Sequence, residues 1–190
     1  MNRANQTDVA TIARPLNEGG IVVLRTDTIY GIVTRADNRK NCDTIFAMKQ
    51  RDADKSCIIL VADESQMWDH VSREAYAAAK HVLDDTYPTS VIVPIGDDTP
   101  EWLVHHDQHQ DDVAFRIPNT VPWLIELLEQ TGPLIAPSAN LQSQPPAANV
   151  AEAYSYFGDA VDLYVDGGVV EAAEPSHLYR VRDGHAERLR

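Results

Sequence analysis

The chain alternates short apolar runs with longer stretches in which apolar residues recur at helical spacing, and this alternation predicts the order of its elements. Thr7 to Leu16 reads as a first helix, with Asp8 near its start and Asn17-Glu-Gly-Gly20 closing it. Ile21 to Arg25 is apolar and β-branched, the pattern of a buried strand, and Thr26 to Gly31 leaves it as a turn. Asn41 to Met48 is helical by pattern, capped by Asn41 or Asp43. Ile58 to Ala62 is a second strand. Ser72 to Asp85 carries Ala75, Ala78, Ala79, Val82 and Leu83 at helical spacing behind a Ser72 cap. Ser90 to Ile95 is a third strand, and the polar, acidic segment from Gly96 to Asp112 reads as a loop around a short Glu101-Trp-Leu-Val104 element. Val113 to Ile117 and Leu134 to Ala136 are strands on either side of a helix from Val121 to Gln130. Leu141 to Ala148 is a flexible connection, Ala151 to Phe157 a helix, and Asp162 to Val165 and Ser176 to Val181 late strands separated by an Asp166-Gly-Gly168 turn. Strands alternating with helices predict an α/β class, and with no internal repeat or boundary signal residues 1–190 read as one domain.

Composition narrows the class. With 190 residues, 44% hydrophobic and 24% charged, the chain resembles an ordinary globular domain long enough for a sizeable core. No apolar run approaches the ~20 residues of a membrane helix, and the first residues lack the apolar core of a signal peptide. Cys42 and Cys57 are too few for a disulfide framework and read as buried thiols, so a cytoplasmic location is expected. A net charge of −13 opposes broad binding of a phosphate polymer. Cations concentrate in four places: Arg35 to Lys40, Lys49 to Lys55, Arg180 with Arg182, and Arg188 with Arg190. Such local clusters suit a small anionic ligand held in a pocket.

Candidate chemistry follows from those clusters. Lys49, Arg51 and Lys55 lie in a short connection between a predicted helix and a predicted strand. On an extended backbone Lys49 and Arg51 project to one side, as an anion clamp for a triphosphate; the bland alternative is a solvated basic loop. Thr26, Asp27 and Thr28 follow a predicted strand, where hydroxyls can meet an amino acid or simply satisfy their own turn. Arg116 ends an apolar strand, a position that calls for either an internal ion pair or an anionic ligand. Ser138 and Asn140 flank Ala139 after a short buried strand and share a face if extended. His105, His106 and His109 invite a metal, since His105 and His109 would share a helical face, but the surroundings read as an exposed acidic loop.

Three segments in this order, Thr26-Asp-Thr-Ile-Tyr-Gly31, Lys49-Gln-Arg51 with its trailing Lys55, and Ser138-Ala-Asn140, resemble the signature of the YrdC-like family, whose members include threonylcarbamoyl-AMP synthase. The resemblance runs from about Gly19 to Arg190. It implies a single twisted, mostly mixed sheet flanked by helices and built around an open, positively lined cleft. It implies that Thr26, Thr28, Tyr30, Arg116 and Ser176 meet threonine, and that Lys49, Arg51, Lys55, Ser138, Asn140 and Arg190 meet ATP. Lys49, Arg51 and Lys55 would also carry the catalytic charge stabilisation. The chain departs from the family pattern at Arg25 and Asp52 (the family carries Pro at each), at Ser56-Cys57 (Pro-Leu), at Tyr87-Pro-Thr-Ser-Val-Ile92 (W-P-G-P-x-T) and at His177 (Thr).

The activity implied is formation of threonylcarbamoyl-adenylate from L-threonine, bicarbonate or carbon dioxide and ATP with magnesium, releasing pyrophosphate. Transferase proteins downstream would pass the product to tRNA. Two alternatives stand beside it: a non-catalytic module contacting tRNA or double-stranded RNA, and a diverged paralogue acting on a different small acid.

Overall fold

A computed structural model describes residues 1–6, 8–50, 57–67, 70–71, 73–83, 87–106, 111–171 and 174–190. Among these, ten strands form one mixed sheet: β1 (Arg3–Asn5), β2 (Val22–Arg25), β3 (Tyr30–Arg35), β4 (Ile58–Leu60), β5 (Thr89–Pro94), β6 (Asp112–Arg116), β7 (Leu134–Ile135), β8 (Leu163–Asp166), β9 (His177–Arg182) and β10 (His185–Arg188). Their spatial order is β1-β8-β2-β3-β7-β4-β6-β5-β9-β10. β1 and β2 each run parallel to β8, β4 parallel to β6, and β5 parallel to β9; the other pairs are antiparallel.

Among the described residues five α-helices flank the sheet: α1 (Val9–Asn17), α2 (Arg39–Lys49), α3 (Arg73–Leu83), α4 (Pro122–Thr131) and α5 (Val150–Phe157). Strand alternation sends side chains to two separate cores. Val23, Ile32, Ile59, Val91 and Phe115 pack under α2, α3 and α5 through Ile45, Ala79 and Ala153. Val22, Leu24, Val33, Leu60 and Leu134 pack under α1 and α4 through Ile12, Leu16, Leu124 and Leu128. Ile12 and Leu16 are fully buried at i, i+4 spacing, each worth about 1.5–3 kcal/mol of transfer free energy. Helices α1 and α4 cover only part of this second face. Over β6, β5 and β9 it is left to a cavity.

The α/β expectation holds, and most predicted elements fall within one or two residues of the observed ones. The Asp8 carboxylate accepts a bond from the Thr11 N–H at 3.1 Å and starts α1 as expected. Helix α2 begins earlier than predicted, because the Asn38 side chain rather than Asn41 or Asp43 caps it, accepting from the Asn41 N–H at 3.2 Å. Three strands escape the sequence pattern. β1 and β10 lie at the sheet edges and are mostly exposed, so they show no apolar alternation. β3 begins inside the stretch read as a turn; pairing with β2 draws Tyr30 and Gly31 into the ladder. The Ser72 cap lies outside the described residues.

Candidate functional site

The uncovered face of β4, β6, β5 and β9 floors a cavity of about 550 Å³. Register places Ile58, Ala114, Ile92 and Arg180 in one row across it, all pointing into the hollow by strand alternation. The β2–β3 turn brings Thr26 and Thr28, the segment after β7 brings Ser138, and the approach to β9 brings Ser176. Arg190 closes the rim, its Nε donating to the Ser176 carbonyl at 3.2 Å while its backbone pairs with Leu178. Among the described lining residues the charged side chains are Arg116, Arg180 and Arg190, joined by His105, with no carboxylate.

Arg116 is the centre of this wall. It is 4% exposed, and its Nη2 lies 3.0 Å from Asp27 Oδ1 and 3.5 Å from the Thr26 hydroxyl oxygen. The Asp27 contact is one of charge, since Oδ1 accepts no well-angled hydrogen bond, and Arg116 Nε has no hydrogen-bond partner. Burial and the nearby Arg190 both disfavour the Arg116 cation, while Asp27 favours it. Two like charges near one another at a wall without a carboxylate side chain among the described residues suit an anion. The sequence left ion pair and ligand site as alternatives for Arg116; it forms the pair and also faces the cavity.

Burial pushes the Asp27 carboxyl up, and Arg116 only partly offsets this. A carboxyl whose pKa rises on folding stabilises the fold below its ordinary value, and that contribution is lost as pH climbs through the raised one. The Tm of the wild type is therefore expected to gain on that of Asp27→Asn as pH falls through this window. A constant difference in thermal unfolding across it would show that Asp27 is not strained by burial.

The turn itself is tightly made. The Thr26 hydroxyl donates to the Ile29 carbonyl at 2.8 Å, lies 3.1 Å from the Thr28 hydroxyl and accepts the Thr28 N–H at 3.2 Å. Tyr30 lines the cavity and is held in place at its far end: its hydroxyl donates to the Gly168 carbonyl at 2.8 Å and accepts the Gly167 N–H at 2.9 Å. Arg25, which replaces the family's proline, donates to the Gly167 carbonyl at 3.0 Å and does not line the cavity. Gly167 permits this approach, since a Cβ there would stand 2.7 Å from Arg25 Cβ.

Lys49 differs from its expectation. It is the last residue of α2, followed by Gln50 in the left-handed conformation, so its backbone is helical rather than extended. Its ammonium is buried beneath the Ser138–Asn140 turn, donating to the Ser138 carbonyl, to the Asn140 carbonyl at 2.7 Å and to Asn140 Oδ1 at 3.0 Å. The Ser138 hydroxyl donates to the same Oδ1 at 2.6 Å, so the two side chains do share a face. Ser138 reaches the cavity; Lys49 and Asn140 hold it from behind and are absent from the lining. Arg51 and Lys55 lie outside the described residues.

Ser176 is 2% exposed, its hydroxyl 2.9 Å from that of Ser90, and His177 stacks on Tyr87 with ring centroids 4.1 Å apart. His105 is not helical: its backbone pairs with Asp112 in both directions, and its Nδ1 lies 3.0 Å from Asp112 Oδ1. Among the described residues no three metal-ligating side chains converge, and His109 is outside them. Cys42 and Cys57 are buried cysteines, with burial pushing the Cys42 thiol up to about 12. As cavity residues, Arg180 and His105 were missed, and with them the buried Asp112 that holds both. Asp112 stands four residues before Arg116 on the same strand, and that i, i+2, i+4 relation was the available signal.

The family model for Sua5, YciO and YrdC proteins, described as "Telomere recombination", matches residues 14–190. The chain belongs to this family. It is 26% identical over 185 residues to the threonylcarbamoyl-AMP synthase of Pseudoalteromonas translucida, covering 95% of this chain and 97% of that one. It is 29% identical over 188 residues to the enzyme of the same name from Pseudomonas fluorescens strain Pf0-1, covering 97% and 98%. In three dimensions it resembles P. abyssi Sua5 complexed with L-threonine, with a TM-score of 0.81 at 24% identity. All of this chain aligns, spanning 56% of that longer one. E. coli YciO gives a TM-score of 0.80 at 18% identity, over all of this chain and 92% of that one. Both confirm the family fold, a single α/β domain with a mixed sheet between helices.

Proposed function

We propose that this family member is a threonylcarbamoyl-AMP synthase, a nucleotidyltransferase that joins L-threonine, bicarbonate or carbon dioxide and ATP. The observation that carries this reading is the pairing of buried Arg116 with nearby Arg190 in a cavity wall that, among the described residues, has no carboxylate side chain, between the Thr26–Thr28 hydroxyls and Ser138. Relatives named for this reaction, and a Sua5 fold complexed with L-threonine, support it. Threonine's carboxylate would sit against Arg116, its hydroxyl near Thr26 and Thr28, and the nucleotide would approach from Ser138 and Arg190.

The chemistry needs positioning and charge more than proton shuttling. Threonine's neutral amine adds to carbon dioxide, losing a proton to solvent and forming a carbamate. A carbamate oxygen then attacks the α-phosphorus; the bond to the β-phosphate bridging oxygen breaks, and pyrophosphate leaves with the electron pair. Two anions must come within bonding distance, and fixed arginines offset their repulsion. Magnesium prefers carboxylate and water ligands. The described wall supplies no carboxylate, so we assign magnesium to the ATP phosphates rather than to a side chain. The product would pass to transferase proteins that modify tRNA, in the cytoplasm. Among the described residues no helix is long and apolar enough to cross a membrane.

The test is pyrophosphate release from ATP with bicarbonate and each of several amino acids. Threonine is expected to stand well above serine and valine; equal rates for all would remove threonine from the account. From the family resemblance, Lys55→Ala is expected to abolish that release while leaving the thermal unfolding midpoint unchanged. Wild-type turnover in the variant would exclude Lys55 from the phosphate site.

A further inference from the structure

Strand β6 carries one construction twice. At its end, Arg116 faces the cavity with the buried carboxylate of Asp27 against it. At its start, Asp112 is fully buried and holds two other cavity residues: its Oδ2 lies 3.4 Å from Arg180 Nη2, and its Oδ1 lies 3.0 Å from His105 Nδ1. In both cases an acid is sequestered while nitrogen-bearing groups form the wall, so a ligand meets cations and N–H donors rather than oxygen. From strand spacing and register, Arg116 and Arg180 stand about 12 Å apart between Cα atoms, two strands and one row removed. The lining side chains between them, Ala114, Ile92 and Leu178, are apolar. The cavity thus has two cationic poles divided by an apolar floor.

The poles differ in kind. The first is rich in hydroxyls, from Thr26, Thr28 and Ser176, and suits a small amino acid. The second offers a guanidinium fork, which suits multiply charged phosphate oxygens, beside an imidazole whose Nδ1 rests on the same carboxylate and whose Nε2 donates to phosphate only as the imidazolium. We propose that Arg180 and His105, positioned by Asp112, form a second anion subsite that takes the departing pyrophosphate of the nucleotide. This rests on the adenylation reading above, in which pyrophosphate is the more highly charged of the two products.

The test is calorimetric titration of inorganic pyrophosphate into the full chain, as wild type, Arg180→Gln, the double variant Asp112→Asn/Arg180→Gln, and Arg116→Gln. The double variant avoids leaving a buried carboxylate alone, and thermal unfolding checks that each protein is folded. Pyrophosphate affinity is expected to fall about tenfold or more in both Arg180 variants, the loss of a charge-assisted contact, with L-threonine affinity within about threefold of wild type. Arg116→Gln is expected to lose threonine and largely keep pyrophosphate. Equal pyrophosphate affinity in wild type and the Arg180 variants, or no binding by wild type, would overturn the subsite. The underlying reading fails differently: wild type would then bind pyrophosphate through Arg180 yet release none from ATP when threonine is added.

Discussion

Arg116→Ala is expected to reduce threonine-dependent pyrophosphate release by at least two to three orders of magnitude, the scale seen when a preorganised charge is removed from a reacting site. The same change leaves Asp27 buried, its side chain 1% exposed, without its counter-ion. Breaking a buried pair from one side costs about 3–5 kcal/mol, so the unfolding midpoint is expected to fall as well. Two effects from one residue must be separated. In Arg116→Ala/Asp27→Asn the stranded charge is gone, and stability should largely return while turnover does not. If turnover returned with stability, Arg116 would be a structural residue and the anion site would lie elsewhere.

Lys49→Met should be nearly as damaging, through a different route. Its ammonium holds the carbonyls of Ser138 and Asn140 and the Asn140 side-chain oxygen. Methionine fills the space but removes all three bonds; Asn140 Oδ1 keeps the Ser138 hydroxyl and the Ser138 carbonyl keeps the Asn140 N–H, so the main cost falls on the Asn140 carbonyl, and a loss of about 1–3 kcal/mol is expected, lowering Tm by about 2–12 °C. With the turn loosened, Ser138 no longer stands at the cavity wall and turnover should collapse. The informative contrary result is a variant with unchanged Tm and lost ATP binding. That outcome would return Lys49 to the phosphate and remove it from the turn.

How much of this was legible beforehand varies residue by residue. The β2, β5 and β6 segments were readable because buried strands need continuous apolar, β-branched runs, and Val22-Val-Leu, Val91-Ile-Val and Val113-Ala-Phe satisfy that need locally. Helices α3 and α4 were readable from apolar spacing. The Thr26–Gly31, Lys49–Lys55 and Ser138–Asn140 segments were legible as a set resembling the YrdC-like family, and the family model bears out that membership. The role of Lys49 was not legible, because its partners are 89 and 91 residues away and a helix end looks like a loop start from composition alone. Arg180 and Asp112 were hidden for a related reason. Each is an ordinary strand charge until the parallel pairing of β5 with β9 brings Arg180 to the row beside Asp112.

The amino-acid sequence by itself determined the α/β alternation, the position of most elements and the family, since hydrophobic period and short polar motifs are written in neighbouring residues. Only the tertiary structure decided which charge meets which: Arg116 with Thr26 across 90 residues and with the adjoining Asp27, Arg180 with Asp112, and Lys49 with a turn rather than with the cavity. The reason is range. An ion pair or hydrogen bond is set by groups brought to within a few ångströms, and strand register, not sequence separation, brings these groups there.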